Sequence, residues 1–556
     1  MDFKMKFRLL AVAAGLVCCL SCIEKDNSLG GVFVPVAETY TFHTAEIPLE
    51  GITMQMADML SGYSDDRITV GAIREGEFGL TTRASAFTLV PVFEDEFNVG
   101  EDPIFKSFHF ATARDTLSFL DPSQENILQR FHVYELSEPL DATEDYDLNH
   151  SVAHGDIPVT RGTPVYNGVD SLTFDFSEEF GKKYLQITKE DVSDMKKFIA
   201  KFPGIYIESD VPEGDGGRIN MLDVQLSYDA QNKYVSGNFA RLRYSAVFDG
   251  VRKDTVMIFY YGAADFFNMD SLFNAYTGTF PQYCLNLTGQ QTRDRVGEAG
   301  ETLWVEGGGG LKPMISAKTL KHQVEQAIAA VGGDPKDAVI NKATLYFPFD
   351  FPENYEDMTF WPYRLSPTCR FSGEEDDSIT SYMGLTDASS SDENQGDVDR
   401  SHMCYAPDIT YHMQELVKID ESKPESTGAK NLARGNYDIW MLIMALEKQL
   451  NVSTTSQEQQ EMLNYLAYSS YYNSMYGGYG RYGGYGGYGG YGYGYNNYLN
   501  YAMMAQYASM AHTSTSVTVK LDKDRFYRAA LHGPEYPDAD SRPTLFLTFA
   551  LPNRED

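Results

Sequence analysis

Arg241-Leu242-Arg243-Tyr244-Ser245-Ala246-Val247-Phe248 puts Leu242, Tyr244, Ala246 and Phe248 on one face and both arginines on the other. Successive side chains of a strand point to opposite faces, so this period of two predicts a half-buried strand. Asp249-Gly250 follows directly, a pair suited to a tight hairpin turn. The same alternation recurs from Phe131 to Leu136, at Val517, Val519 and Leu521, and at Leu545, Leu547 and Phe549. Turn residues such as Asp215-Gly216-Gly217 separate these runs. Many short strands without regularly interleaved helices predict a mainly β chain. The expected architecture is a tandem of antiparallel, jelly-roll-like β-sandwich domains over 46–295 and 296–556, with a few short helices.

A few helices are expected to interrupt the strands. Thr188 and Asp191 form a capping box ahead of Val192, Met195, Ile199 and Phe202, and Pro203-Gly204 ends that helix. Ser316 caps a second, carrying Leu320, Val324, Ala327 and Val331 and closed by Gly332. Asp408 starts a third, running through Tyr411 and Leu416 to Lys418. From Tyr476 to Tyr495 the chain is almost wholly Gly and Tyr, with Arg481 its only charge. Glycine at that density favours neither helix nor strand, so 476–495 reads as a surface loop. Gln457 to Tyr472 and Tyr498 to Ala511 read as helices on either side. Tyrosines such as Tyr479, Tyr482, Tyr485 and Tyr488 would give the loop an aromatic contact surface for sugars or proteins. A tolerated loop insertion is the plainer reading.

The chain opens with a different signal. Lys4, Lys6 and Arg8 precede an apolar run from Leu9 to Leu20, and Ser21-Cys22 follows. Charged, apolar and small-residue segments in that order make residues 1–21 a secretory leader. The run has 12 residues, too few for a membrane-spanning helix, which needs about 20. Cleavage before Cys22 would expose its thiol for acylation, with 22–45 as a linker. Cys19, with Leu16 three residues before it, is a rival site, but Cys18 would then occupy the small-residue position. Each buried methylene contributes about 0.8 kcal/mol, so several acyl chains anchor firmly where one does not. Covalent lipid on Cys22 is the only added group expected, with no cofactor.

The 556 residues include 79 acids against 45 bases, a net charge of −34. The leader holds Lys4, Lys6 and Arg8 against Asp2, so its removal leaves −36. That charge argues against a nucleic-acid partner, which needs clustered Lys and Arg, and against lying on an anionic leaflet. Of six cysteines only Cys284, Cys369 and Cys404 lie in the body, which allows at most one disulfide.

Several stretches resemble a Bacteroidota lipoprotein family known as domain of unknown function 4270. They are Ser28-Leu29-Gly30-Gly31 with Val34-Pro35, and Phe202-Pro203-Gly204-Ile205-Tyr206-Ile207 with Gly216-Gly217-Arg218-Ile219. Val339-Ile340-Asn341-Lys342-Ala343-Thr344-Leu345 and Leu531-His532-Gly533 with Arg542-Pro543-Thr544-Leu545 complete the set. The resemblance implies an outer-membrane lipoprotein with no recognised enzymatic role and no catalytic residues to carry over. It also implies two sandwich units comparable to carbohydrate-binding jelly rolls.

The chain lacks a Gly-x-Ser-x-Gly elbow, a His-Glu-x-x-His pair and a phosphate loop. Gly307 to Gly310 lacks the Lys-Ser/Thr that phosphate binding requires and reads as a turn before Leu311. Asp392, Asn394, Asp397 and Asp399 offer oxygens at alternating positions around Gly396, a weak calcium pattern. Position twelve of that loop is Met403 rather than Glu, so a solvated acidic loop is the plainer reading. The function expected is a non-enzymatic interaction or accessory subunit of an outer-membrane protein assembly, on the cell surface or the periplasmic face. Glycan binding by the jelly-roll domains is the alternative.

Overall fold

The computed structural model describes residues 39–553 apart from 58, 65–66, 94–96, 116–126, 141–145, 170, 230–233, 263–277, 280–283, 373–379, 391–394 and 452–513. It is mainly β, with several antiparallel sheets and few short helices, as the alternation predicts. Every strand pairing among the described residues is antiparallel.

The strand Ala240–Phe248 buries Leu242, Tyr244 and Ala246. It pairs with Val251–Gly262 from Phe248↔Val251 onward. Asp249 and Gly250 make the two-residue turn, with φ of 50° and 76°. Positive φ at both positions matches the twist of the strands they join, and glycine takes it without steric cost. On its other side Ala240–Phe248 pairs with Glu101–Thr112.

Two large cores result. The first gathers residues 68–284 around stacked rings. Phe110 lies 4.5 Å from Phe174 and 4.8 Å from Tyr261, and Phe108 lies 4.6 Å from Phe176. Burial of each such ring contributes about 1.5–3 kcal/mol, and edge or offset contacts add to it. The second core joins residues 303–551 with Ile47, Leu49, Ile52, Met54 and Met56, so the N-terminal strands pack with the C-terminal half. Tyr40–Pro48 lies along Thr544–Pro552, and Ile52–Met56 along Leu311–Ile315.

The Thr188–Asp191 capping box forms as expected. Its helix, however, ends at Val192, and a second begins at Met195. Asp194 accepts from the amides of Lys196 and Lys197, and this new cap splits the predicted helix in two. Ser316 caps Ala317–Ala330, which buries Leu320, Val324 and Ile328. Gly332 donates to Ala329 O and Gly333 to Ile328 O, closing that helix. The third helix, Thr410–Lys418, receives a cap from outside its own segment. Asp387 accepts from the amides of Tyr411 (2.6 Å) and His412 (3.0 Å), while Asp408 reaches only Thr410. Among the described residues no helix is long and apolar enough to cross a membrane.

An ionic seam joins the two cores. Arg67 Nη1 bonds Asp524 at 3.1 Å, and Asn286 donates to the same carboxylate at 3.2 Å. Arg525 Nη1 meets Asp522 at 2.5 Å, with both side chains almost fully buried. Thr292 donates to Glu306 at 2.6 Å. Burial pulls Arg83 down to about 10, against the attraction of Asp524, Asp522 and Glu306. The glycine run, read from sequence as a turn, has a specific task here. Its carbonyls at Gly308 and Gly310, both 3.2 Å away, hold the buried ammonium of Lys312 together with Glu306 O. Gly308 has φ +58° and faces Arg83, whose Nη2 would lie 2.2 Å from an added Cβ. Burial pulls Lys312 down to about 7, against the attraction of Glu306.

Candidate functional site

A groove of about 600 Å³ lies at the edge of the sheet that contains Ile439–Asn451, Arg364–Ser372 and Thr380–Gly384. Ligand sites commonly have volumes of about 300–1,000 Å³ and pair apolar walls with a few polar groups. Arg364–Ser372 contributes Arg364 and Ser366 from one face and Cys369 and Phe371 from the other. The groove therefore wraps around the edge strand Thr380–Gly384. The helix Thr410–Lys418 supplies Tyr411, His412 and Glu415, and Tyr437 closes the wall. Tyr411 and Glu415 stand four residues apart, hence on one helix face. Tyr411 is 55% exposed.

Several polar groups in and beside the groove are fixed by their surroundings. Arg364 is held by Asp397 and Gln395. Burial pushes the Cys369 thiol up to about 12, which leaves it protonated and a poor nucleophile. Cys404 likewise sits near 12, and burial raises Cys284 further. All three cysteines are free. Burial pulls His412 down to about 4, against the effect of the Tyr437 carbonyl, which accepts from Nε2 at 3.0 Å. Asp387 is raised by burial while the amides it caps oppose the shift. The groove thus presents neutral His412, exposed Glu415 and tyrosine faces. That set can bind a polyhydroxylated ligand through ring stacking and hydrogen bonds to a carboxylate.

The state of His412 predicts a pH dependence. An unfolded histidine takes up its proton below about 6.5, and the folded one only near 4. The unfolded state therefore binds more protons between these values. The neutral histidine costs nothing above pH 6.5, and stability falls as pH drops from 6.5 toward 4, by at most about 1.4 kcal/mol per unit. Urea midpoints at pH 7 and pH 4.5 test this, and His412→Asn should flatten the difference. An unchanged difference in the variant would remove His412 as its source.

The residues singled out from sequence do not converge on this groove. Cys22 and the tyrosines Tyr479, Tyr482, Tyr485 and Tyr488 lie outside the described residues, as do the two helices expected beside the Gly/Tyr tract. Asp392 and Asn394 also lie outside them. Asp397 pairs with Arg364 and accepts from Tyr363 Oη at 3.3 Å. Asp399 caps the turn that follows, accepting from the amides of Ser401 (2.8 Å) and His402 (3.0 Å) and from the His402 ring (2.7 Å). Burial alone would raise Asp399, but these bonds hold it below the usual carboxylate range. Among the described residues no cluster of three or more His, Cys, Asp or Glu is placed to hold a metal. Sequence reasoning missed His412, Glu415 and Tyr437, although the period of the Thr410 helix already put Tyr411 and Glu415 on one face.

No family model, curated protein or solved structure matches the chain. What the fold and the groove define is a mainly β, sandwich-like body with an aromatic-walled groove at a sheet edge.

Proposed function

We propose that this chain is a lipid-anchored, non-enzymatic outer-membrane protein of the domain of unknown function 4270 type, and that it works as an interaction or accessory subunit. One observation carries the reading. Strongly shifted groups among the described residues are engaged inside the body: Arg83 and Lys312 in the seam, His412 at a helix start, and the buried thiols of Cys284 and Cys369. Perturbed ionisation often marks catalytic chemistry, but here each case has a structural cause. The leader and Cys22 supply the anchor, and the broad sheets supply docking surface. Purification from membranes in mild detergent at native expression should recover a stable complex with an integral outer-membrane protein. Recovery of the monomer alone would contradict the proposal.

Glycan binding is the second reading, favoured by Tyr411, Tyr437, Phe371 and Glu415 around the groove. A glycan array probed with the parent, a Tyr411→Ala variant and a deletion of 476–495 would separate groove from tract. Binding to no glycan would retire the idea.

A further inference from the structure

The five-stranded sheet that begins at Tyr40 covers the second core with one face and leaves the other open. Its order is Tyr40–Pro48, Thr544–Pro552, Val339–Pro348, Cys404–Tyr405, Val398–Asp399. Alternation sends Ile47, Leu545, Leu547, Phe549, Ala343 and Leu345 inward, all buried. The outward set is unusual for a chain this acidic. Phe42 and Val339 both pair with Ala550, so they flank it from either side. Phe42 is 65% exposed and Val339 42%, whereas Ala550 beneath them is buried. Tyr40 is 50% exposed one step along the same edge, and Phe546 is 40% exposed with Tyr346 packed edge-on at 5.7 Å. Opposite Phe546 and Thr548 stand Glu46 and Lys342, one charge of each sign.

Exposed rings on one sheet face, Tyr40 and Phe42 toward one end and Phe546 with Tyr346 beyond the Thr44 and Thr548 pair, mark a contact surface. The chain itself indicates what that surface meets. Tyr40 opens the first strand of the body and stands 18 residues after Cys22. Even fully extended, such a stretch spans at most about 65 Å. A surface that leads directly out of an anchor is held at high effective concentration against the anchoring layer, so weak contacts suffice. Tyr and Phe rings suit the membrane–water boundary, and a face that carries Glu46 and Asp399 against Lys342 holds little net charge, which limits the repulsion that the mature chain's −36 would meet at an anionic leaflet.

We propose that the outward face of this sheet, centred on Tyr40, Phe42, Val339 and Phe546, rests on the headgroup layer of a zwitterionic membrane and orients the body on it. This rests on the lipid-anchor reading, and the test separates the two. The full acylated protein is reconstituted into phosphatidylcholine vesicles with an environment-sensitive dye at Thr44→Cys, on the proposed face, or at Ile157→Cys, an 81% exposed site in the other half. The native body cysteines are buried, which leaves the introduced thiol as the reactive one. Quenchers carried in the lipid should dim the dye at 44 several-fold more than at 157, and Tyr40→Ser with Phe42→Ser should abolish the difference. Equal quenching at both sites in protein that floats with the vesicles would overturn the proposal while leaving the anchor intact. Contrast seen only when an outer-membrane protein is co-reconstituted would overturn it in favour of a protein contact. Protein that does not float would refute the anchor, and the proposal with it.

Discussion

Asp522→Ala is expected to lower stability by about 3–5 kcal/mol, because removing one partner of a buried ion pair strands the other charge away from water. Arg525 and Asp522 have 2% and 1% of their side-chain surface exposed, and the carboxylate accepts both the guanidinium (2.5 Å) and the Arg525 amide (3.2 Å). Arg525 also donates to Leu446 O, so its place in the seam ties Asp522 to the strand Ile439–Asn451. The loss would extend beyond one pair, since the Asp522 charge also offsets the burial of Arg83 and Lys312. The check is a urea midpoint shift compared with breaking the exposed pair Lys197–Glu190, which is worth at most about 1 kcal/mol. Equal shifts for the two variants would mean that the seam does not hold the cores together.

Cys22→Ala is expected to move nearly all of the protein from the membrane fraction to the soluble one. The proposed acyl chains would contribute about 0.8 kcal/mol per buried methylene, far more than surface contacts can replace. The exposed sheet face should by itself give only weak, reversible association. Fractionation of cells expressing each form reads this directly. A variant that still sediments completely with membranes would show that something other than lipid on residue 22 retains the chain.

How much of this was legible in the sequence depended on whether the signal was local. Leu242, Tyr244 and Ala246 were readable as a buried face because strand geometry imposes a period of two on neighbouring residues. The Thr188 cap and the Ser316 helix were readable for the same reason. Asp194 was missed as a second cap because the helical spacing of Val192, Met195 and Ile199 runs straight across it. The cap on Thr410–Lys418 was assigned to Asp408, while Asp387 performs it from a separate segment that no local pattern connects. The ionic seam was invisible for the same physical reason. Arg83, Glu306, Lys312, Asp522 and Asp524 are brought together by strand pairing over hundreds of residues. Gly307 to Gly310 looked like a mere turn because its partners, Lys312 and Arg83, are defined only by packing. The groove was half legible, since the Thr410 helix shows its exposed face in sequence but not the sheet edge opposite.

The proposed lipid anchor on Cys22 underlies the proposed location, the accessory role and the membrane-facing sheet. Intact-mass and peptide mass spectrometry of the mature N-terminus tests it most directly. The account predicts a chain that begins at residue 22 and carries acyl groups on that cysteine. A free thiol at that position, or a leader still attached, would contradict it.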